Sequence, residues 1–256
     1  MVKYSNLVLE INRLLGMRFI YGNISSKTPI GQSLIDIINF NNKGEYIIRD
    51  YEFSRLRMFV KHLQEIERYD IHLFKKFKKK IHIPSEYFGA RFEINIAASL
   101  FRKKVKFSKT ESPDFTIQNG ERDIFIECGS THLSQPKLGD IKNKIISVID
   151  EKSKEEYSNP DTALFIDVTN IFHYMKKHLL PTQEEIKNDV KNTLESTNFG
   201  NVTLFTYMMN QDSNRFESIY QRINNKNTNK ALQNFLDQYY PFGKFVVFNF
   251  FIPSQG

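Results

Sequence analysis

The sequence predicts an α/β fold in which a mixed central sheet is flanked by helices and preceded by an N-terminal helical region. Three observations predict it. Residues 1–80 carry apolar side chains at helical spacing, strand-like apolar runs alternate with helical patterns after Pro84, and the pair Asn119-Gly120 separates two of those runs. Alternating elements favour helices on both faces of a sheet, and an Asn-Gly turn makes part of that sheet antiparallel.

The N-terminal region is predicted from three amphipathic segments. A first short helix covers 7–15 and a second covers 33–40. Asp50 is a candidate cap for one long helix that continues to about Lys80. These segments define a helical region over 1–82, which we interpret as a substrate-binding or dimerisation element.

The remaining residues, 83–256, are predicted to form the α/β domain. Pro84 marks its start, and Ser85 is a candidate N-cap for its first helix. In chain order, its predicted elements are a helix from 85 to about 103, strands at 105–107, 114–118 and 123–128, a helix from Asp140 to about Tyr157, a strand at 162–169, a helix at 182–196, a strand at 202–208, a polar loop around a short helix at 210–230, a helix at 229–239 and a strand at 245–252.

Charge and composition favour some partners and compartments over others. A net charge of +7 favours a polyanionic partner such as nucleic acid. The single cysteine, Cys128, excludes a disulfide framework within the chain and a cysteine-based metal site. No apolar run reaches the roughly 18 residues of a membrane span, so we expect a cytoplasmic protein without a membrane partner.

A cluster of lysines ends the third N-terminal helix. It consists of Lys75, Lys76, Lys78, Lys79 and Lys80, with two phenylalanines interleaved. A charge run of this kind is commonly a solvated helix face. It is equally suited to contact a phosphate backbone, and both interpretations stay open at this point.

Two carboxylates stand where adjacent strands meet. Asp114 begins one predicted strand and Glu127 ends the next, and 127 − 114 = 13 residues separate them. A hairpin centred on Asn119-Gly120 places Asp114 opposite roughly position 125, so Glu127 is expected close by. Two such carboxylates, together with a backbone carbonyl such as that of Cys128, can bind Mg²⁺ or Mn²⁺.

Two further charged residues interrupt apolar helix faces. Glu93 falls on the apolar stripe of the helix that begins at Ser85, where a carboxylate needs either a cationic partner or a metal. Lys152 falls on the apolar stripe of the helix that begins at Asp140. Its long stem lets the ammonium reach out to solvent or toward an acidic cluster.

This arrangement resembles the PD-(D/E)XK nuclease superfamily, the restriction-endonuclease-like fold, over roughly residues 85–170. Pro113-Asp114 matches the first acid of the family's motif, and Glu127 matches its second. Glu93 matches the acid of the preceding helix, and Lys152 matches a lysine that many relatives present from the following helix. The sequence departs from the motif at Gly129, where the family usually carries lysine.

The resemblance implies a metal-dependent endonuclease that hydrolyses phosphodiester bonds, with DNA favoured over RNA, in restriction or phage defence. Asp114, Glu127 and the Cys128 carbonyl would hold Mg²⁺ or Mn²⁺, Glu93 would hold a metal-bound water or a second metal, and Lys152 would neutralise the scissile phosphate. A homodimer is the assembly common in the family. His132, five residues after Glu127, is a weaker candidate for a general base.

Two other interpretations stay open. The glycine at position 129 suits a catalytically inactive nuclease-fold module that binds nucleic acid or another partner. A scaffold component of a defence complex is the third interpretation, and it predicts an exposed apolar surface and no response to metal.

Overall fold

The computed structural model describes residues 2–20, 24–120, 122–131, 138–169, 171, 183–210, 215–242 and 250–251. Within these ranges the chain forms eight helices and seven strands. They confirm the predicted fold class, since a mixed sheet is flanked by helices and an N-terminal helical region precedes it.

The chain divides into two compact units. The first comprises Met1–Arg102, Met208–Glu217 and Asn249–Gly256, and the second comprises Lys103–Tyr207 and Ser218–Phe248. The helix that follows Pro84 therefore lies in the first unit, together with the N-terminal helices. The boundary expected from the sequence, between 82 and 83, stays a prediction about domains.

The first unit is built from five helices. They are α1 (Val2–Leu15), α2 (Pro29–Asn42), α3 (Tyr46–Tyr69), α4 (Ile71–Ile81) and α5 (Tyr87–Arg102). The central helix α3 packs against the other four, and α4 also packs against α5. Fully buried side chains such as Leu63 and Ile66 of α3 and Ile94 of α5 supply the apolar contacts that hold this unit together.

The single long helix predicted from Asp50 to Lys80 is wrong. Asp50 lies inside α3, which begins at Tyr46, and this helix ends before Asp70. Asp70 adopts an extended backbone and its carboxylate accepts hydrogen bonds from the backbone N–H groups of His72 and Leu73, both at 2.9 Å. Asp70 thus caps a new helix, because its side chain satisfies donors that have no partner at a helix start.

The central sheet belongs mostly to the second unit, while the end of its fifth strand and the start of its sixth belong to the first. The strands of the sheet are β1 (Phe107–Lys109), β2 (Phe115–Asn119), β3 (Arg122–Ser130), β4 (Thr162–Asp167), β5 (Asn201–Asn210) and β6 (Arg215–Asn224), in the order β1-β2-β3-β4-β5-β6. Pairing is antiparallel between β1, β2 and β3 and parallel between β3, β4 and β5. The segment predicted as a polar loop at 210–230 is therefore largely strand β6, which is a correction.

The β2–β3 hairpin is shifted from its predicted register. Phe115 pairs with Ile126 and Ile117 with Ile124, so the paired numbers sum to 115 + 126 = 241. The connection follows Asn119, and Gly120 adopts a φ of +69° that glycine tolerates without strain. Continuing this register by one residue places Asp114 opposite Glu127, which is closer than the sequence indicated.

Helices cover both faces of this sheet. Gly129 of β3 faces Val148 of helix α6 (Leu138–Lys152), which packs against α7 (Gln183–Glu195). On the opposite face Phe165 of β4 contacts Tyr240, which directly follows helix α8 (Lys230–Tyr239). Successive strand residues point to opposite faces, so the two helical layers lie on either side.

Two predicted element boundaries also change. Helix α6 begins at Leu138 and ends at Lys152, so Asp140 does not cap it and Tyr157 lies beyond its end. The strand predicted at 245–252 falls mostly outside the described residues. What is described there is β7 (Phe250–Phe251), which pairs antiparallel with Met209 and Asn210.

Candidate active site

Asp114 and Glu127 are brought together by two backbone hydrogen bonds. The backbone N–H of Asp114 donates to Glu127 Oε2 at 3.1 Å, and the backbone N–H of Cys128 donates to Asp114 Oδ2 at 2.8 Å. Both side chains are buried, with Asp114 at 7% and Glu127 at 4% exposure. Each carboxylate thus binds a backbone N–H at or next to the other acid. The two acids are therefore close together, as the strand pattern predicts.

The β1–β2 connection sets the position of Asp114 from the other side. Lys109 pairs with Phe115 at the end of the ladder, and the backbone N–H of Thr110 donates to the Asp114 carbonyl at 3.1 Å. The Thr110 hydroxyl also donates to the Pro113 carbonyl. This tight closure holds the carboxylate of Asp114 beside the side chain of Lys109.

Two lysines neutralise the carboxylate pair, one on each acid. Lys152 Nζ at the end of α6 donates to Glu127 Oε1 at 2.6 Å, as the helix stripe suggested. Lys109 Nζ donates to Asp114 Oδ1 at 2.5 Å, and its side chain is only 8% exposed. Lys109 was not among the site residues predicted from the sequence. The available signal was its place at the end of a strand that pairs with the strand following Asp114.

Burial and like charge act together on the acids. Burial raises the pKa of Glu127, and the negative charge of Asp114 raises it further against the opposing effects of Lys152 and Tyr157. Burial alone would lower the pKa of Lys152, but its hydrogen bond to Glu127 and the two carboxylate charges raise it overall. The Lys152 ammonium is therefore held in its charged form beside the acids.

Tyr157 is a second site residue that sequence reasoning missed. It is buried, and it lies close enough to Glu127 for each group to shift the pKa of the other. Burial and then the charge of Glu127 raise the pKa of its phenol, so the hydroxyl stays protonated. It lies past the end of α6, in a loop, where helix periodicity gives no indication of its direction.

Gly129 lies where helix α6 comes closest to β3. A Cβ atom at this position would lie 2.8 Å from Val148 Cγ1 of α6. Val148 is one helical turn before Lys152, so the close approach of α6 to β3 is what delivers the Lys152 ammonium to Glu127. Lys152 of the helix thus lies beside Glu127, while Val148 of the same helix fills the space that a side chain at position 129 would need.

Glu93 lies in the first unit, where Lys80 Nζ stands 3.3 Å from both of its carboxylate oxygens. The Glu93 side chain is 10% exposed and that of Lys80 is 41% exposed. This is the pairing with a basic residue that was the alternative to a metal role for Glu93. The assignment of Glu93 to the catalytic set and of Lys80 to nucleic-acid contact stays a prediction.

The other lysines of the basic cluster lie on α4. Lys75, Lys76 and Lys79 are exposed, and Lys78 is half-buried. The buried face of the same helix carries Leu73, Phe74, Phe77 and Ile81. The apolar residues therefore fix the helix to its unit and leave the three exposed ammonium groups in solvent.

His132 lies outside the described residues. Across the part of the chain that is described, no group of three or more His, Cys, Asp and Glu side chains is arranged to hold a metal ion. Cys128 contributes a backbone N–H to Asp114, and its carbonyl remains a predicted ligand. None of the described helices combines the length and apolar character needed to cross a membrane.

Comparisons with protein-family models, with curated proteins and with solved structures each returned no match to this chain.

Proposed function

We propose that this chain is a Mg²⁺- or Mn²⁺-dependent nuclease that hydrolyses internal phosphodiester bonds of nucleic acid, with DNA as the favoured substrate. The observation that carries the proposal is the buried pair Asp114 and Glu127, held by mutual backbone hydrogen bonds and flanked by two lysines. Buried carboxylates side by side are costly unless cationic groups or a metal ion compensate their charge, and such perturbed acids are typical of functional sites. The resemblance of this strand pair to the PD-(D/E)XK motif supports the same reaction class.

The residues fit a hard divalent cation in ligand type. Carboxylate oxygens are the preferred ligands of Mg²⁺, which commonly takes one or two of them and completes its shell with water. The raised pKa of Glu127, caused by burial and by Asp114, is a sign of repulsion that a cation between them would relieve. Asp114 and Glu127 would hold it, and a bound cation would supply an activated water and charge stabilisation.

The chain's own residues have separate tasks in this proposal. Asp114 is fixed by Cys128 and orients Glu127 through its backbone N–H. Lys152, whose side chain is 31% exposed, can reach a phosphate oxygen and neutralise the charge that develops there. Water adds to phosphorus, the bond from phosphorus to the leaving sugar oxygen breaks, and that oxygen takes up a proton released by the water, so a phosphate monoester and a hydroxyl result.

The basic surface of α4 supports a nucleic-acid substrate. Lys75, Lys76 and Lys79 project from one exposed helix face, and a chain with net charge +7 attracts polyanions. Replacing all three by glutamine should weaken DNA binding and make it less dependent on salt. The slope of the logarithm of the binding constant against the logarithm of the salt concentration should become shallower by up to about 0.9 per lysine. The matched control replaces three exposed lysines elsewhere, Lys43, Lys61 and Lys104. Equal salt slopes for the two triple variants would contradict a role for α4.

The test of the nuclease proposal is cleavage of plasmid DNA, single-stranded DNA and RNA with Mg²⁺ or Mn²⁺. Wild type is compared with Asp114→Asn, Glu127→Gln and Lys152→Met. Each substitution should lower the rate by on the order of a hundredfold, the usual effect of losing one charge-stabilising group. Asp123→Asn is the matched control, because Asp123 is an exposed acid on the same strand as Glu127. Metal-dependent cleavage that survives Asp114→Asn unchanged would refute the site.

A second candidate is an inactive nuclease-fold module that binds nucleic acid without cutting it. It is favoured by the fact that all four carboxylate oxygens of Asp114 and Glu127 accept hydrogen bonds from protein donors. A site satisfied in this way is stable without metal. This candidate predicts DNA binding that is indifferent to Mg²⁺ and to Asp114→Asn, with no cleavage of any of the three substrates.

A further inference from the structure

Lys109 is the more buried of the two lysines at the carboxylate pair, and neither the motif nor the proposed reaction assigns it a task. Its ammonium lies 2.5 Å from Asp114 Oδ1 and its side chain is 8% exposed. The same nitrogen donates to the Thr110 carbonyl at 3.0 Å and lies 5.2 Å from the centre of the Phe115 ring. A lysine is rarely this buried unless its charge is paired, and here the partner is a proposed metal ligand.

The oxygens of the pair fall into two groups. Oδ2 of Asp114 and Oε2 of Glu127 accept from backbone N–H groups of Cys128 and Asp114, which the paired strands hold in place. Oδ1 of Asp114 and Oε1 of Glu127 accept from the ammonium groups of Lys109 and Lys152, which are carried on flexible stems. A cation that bridges the two acids must therefore approach oxygens that the lysines now occupy.

We propose that Lys109 holds Asp114 in the place of the divalent cation, and that metal binding at this pair requires the Lys109 ammonium to leave Asp114 Oδ1. The inference rests on the proposed metal-dependent function. The Lys109 ammonium also donates to the Thr110 carbonyl, and in this proposal it keeps that partner when it moves away from Asp114 Oδ1. Lys109 is thus a positioning residue, which keeps two like-charged acids assembled before the metal arrives and limits how tightly the metal binds.

The charge balance supports this role. Two carboxylates and two ammonium groups sum to zero, so a divalent cation added with both lysines in place would leave an excess of two positive charges. Repulsion between a divalent cation and one ammonium at about 5 Å, even at the dielectric constant of water, lowers affinity by roughly tenfold. Removing the Lys109 charge should raise metal affinity by at least about that factor.

The experiment is calorimetric titration of the full chain with Mn²⁺ in the absence of nucleic acid, for wild type and four variants. Lys109→Met removes the charge and keeps the stem, and Lys109→Gln also keeps a donor for Asp114. Lys109→Arg keeps the charge, and Asp114→Asn removes the ligand. Both neutral variants should bind Mn²⁺ roughly tenfold or more tightly, Lys109→Arg should stay near wild type, and Asp114→Asn should lose binding.

The outcomes separate this inference from the proposed function. If Asp114→Asn loses Mn²⁺ binding but the neutral variants bind with unchanged or weaker affinity, Lys109 is only a structural partner and the inference is wrong, while the metal site stands. If wild type and the neutral variants all fail to bind Mn²⁺, the proposed metal site and the inference are both wrong. Circular dichroism melting of each variant verifies folding, and Lys109→Gln decides the matter if Lys109→Met is unfolded.

Discussion

The contact between Gly129 and Val148 makes a quantitative prediction about how the site is built. In Gly129→Ala the new Cβ would meet Val148 Cγ1 at 2.8 Å, well inside the 3.5–4.0 Å at which carbon atoms attract. Val148 is 7% exposed, and a β-branched side chain in a helix has essentially one rotamer. The methyl cannot rotate away cheaply, so α6 itself must shift from β3.

The magnitude follows from two opposing effects. Inserting a methyl group into a packed interface costs about 1–3 kcal/mol. Replacing glycine by alanine at a compatible backbone recovers about 0.4–1 kcal/mol by restricting the unfolded chain. Taking the middle of each range, we expect Gly129→Ala to lower the free energy of unfolding by about 1 kcal/mol. We also expect it to weaken the Lys152–Glu127 ion pair, because Lys152 ends the displaced helix.

The assay is urea denaturation followed by circular dichroism, arranged as a double-mutant cycle with Val148→Ala. Removing the valine methyls vacates the space that the new Cβ needs, so the double variant should be more stable than the sum of the single effects by about 1 kcal/mol or more. Gly89→Ala is the matched control. Nothing lies within 4 Å of its added Cβ and it sits in α5, so alanine should raise stability by about 0.5–1 kcal/mol.

The reasoning would be refuted by a Gly129→Ala variant as stable as wild type, or by strictly additive effects in the cycle. Either result would mean that α6 does not press on β3 at this glycine. The explanation given for the position of Lys152 would then fail, even if Lys152 itself proved essential for cleavage.

Three further predictions concern single side chains. Burial lowers the pKa of His62 from 6.5 to about 4. Neutral His62 therefore contributes fully to the free energy of unfolding above pH 6.5, and about 3 kcal/mol of that stability is lost as pH falls toward 4. His62→Gln should flatten the dependence of stability on pH across that window, and unfolding curves with the same pH dependence as wild type would contradict this. Asp70→Ala removes two cap hydrogen bonds and should cost about 1 kcal/mol in urea denaturation, whereas Asp70→Asn should cost less. Burial is the largest cause of the raised pKa of Glu127, and the negative charge of Asp114 is the second. Asp114→Asn removes that charge, so carbon-detected NMR titration should find the pKa of Glu127 lowered. An unchanged value would show that the two acids do not interact.

Local signals in the sequence were sufficient for the fold class. Helical spacing of apolar residues located α1, α2 and α5, and the apolar runs located β2, β3, β4 and β5 within a few residues. These signals are local because a helix or strand buries one face, and the period of that face is written along the chain. The break at Asp70 was not determined by local signals, since Asp70 can either continue a helix surface or cap a new helix, and packing chooses between them.

For the candidate site, the sequence by itself determined that Asp114 and Glu127 lie near each other and that Lys152 sits on a core-facing stripe. Only the tertiary structure decided the exact register, the arrival of Lys109 from β1 and of Tyr157 from a loop, and the pairing of Glu93 with Lys80. The physical reason is that periodicity gives the direction of a side chain relative to its own element. Which ammonium meets which carboxylate depends on contacts between residues distant in sequence, such as the approach of Val148 to Gly129 that delivers Lys152 to Glu127.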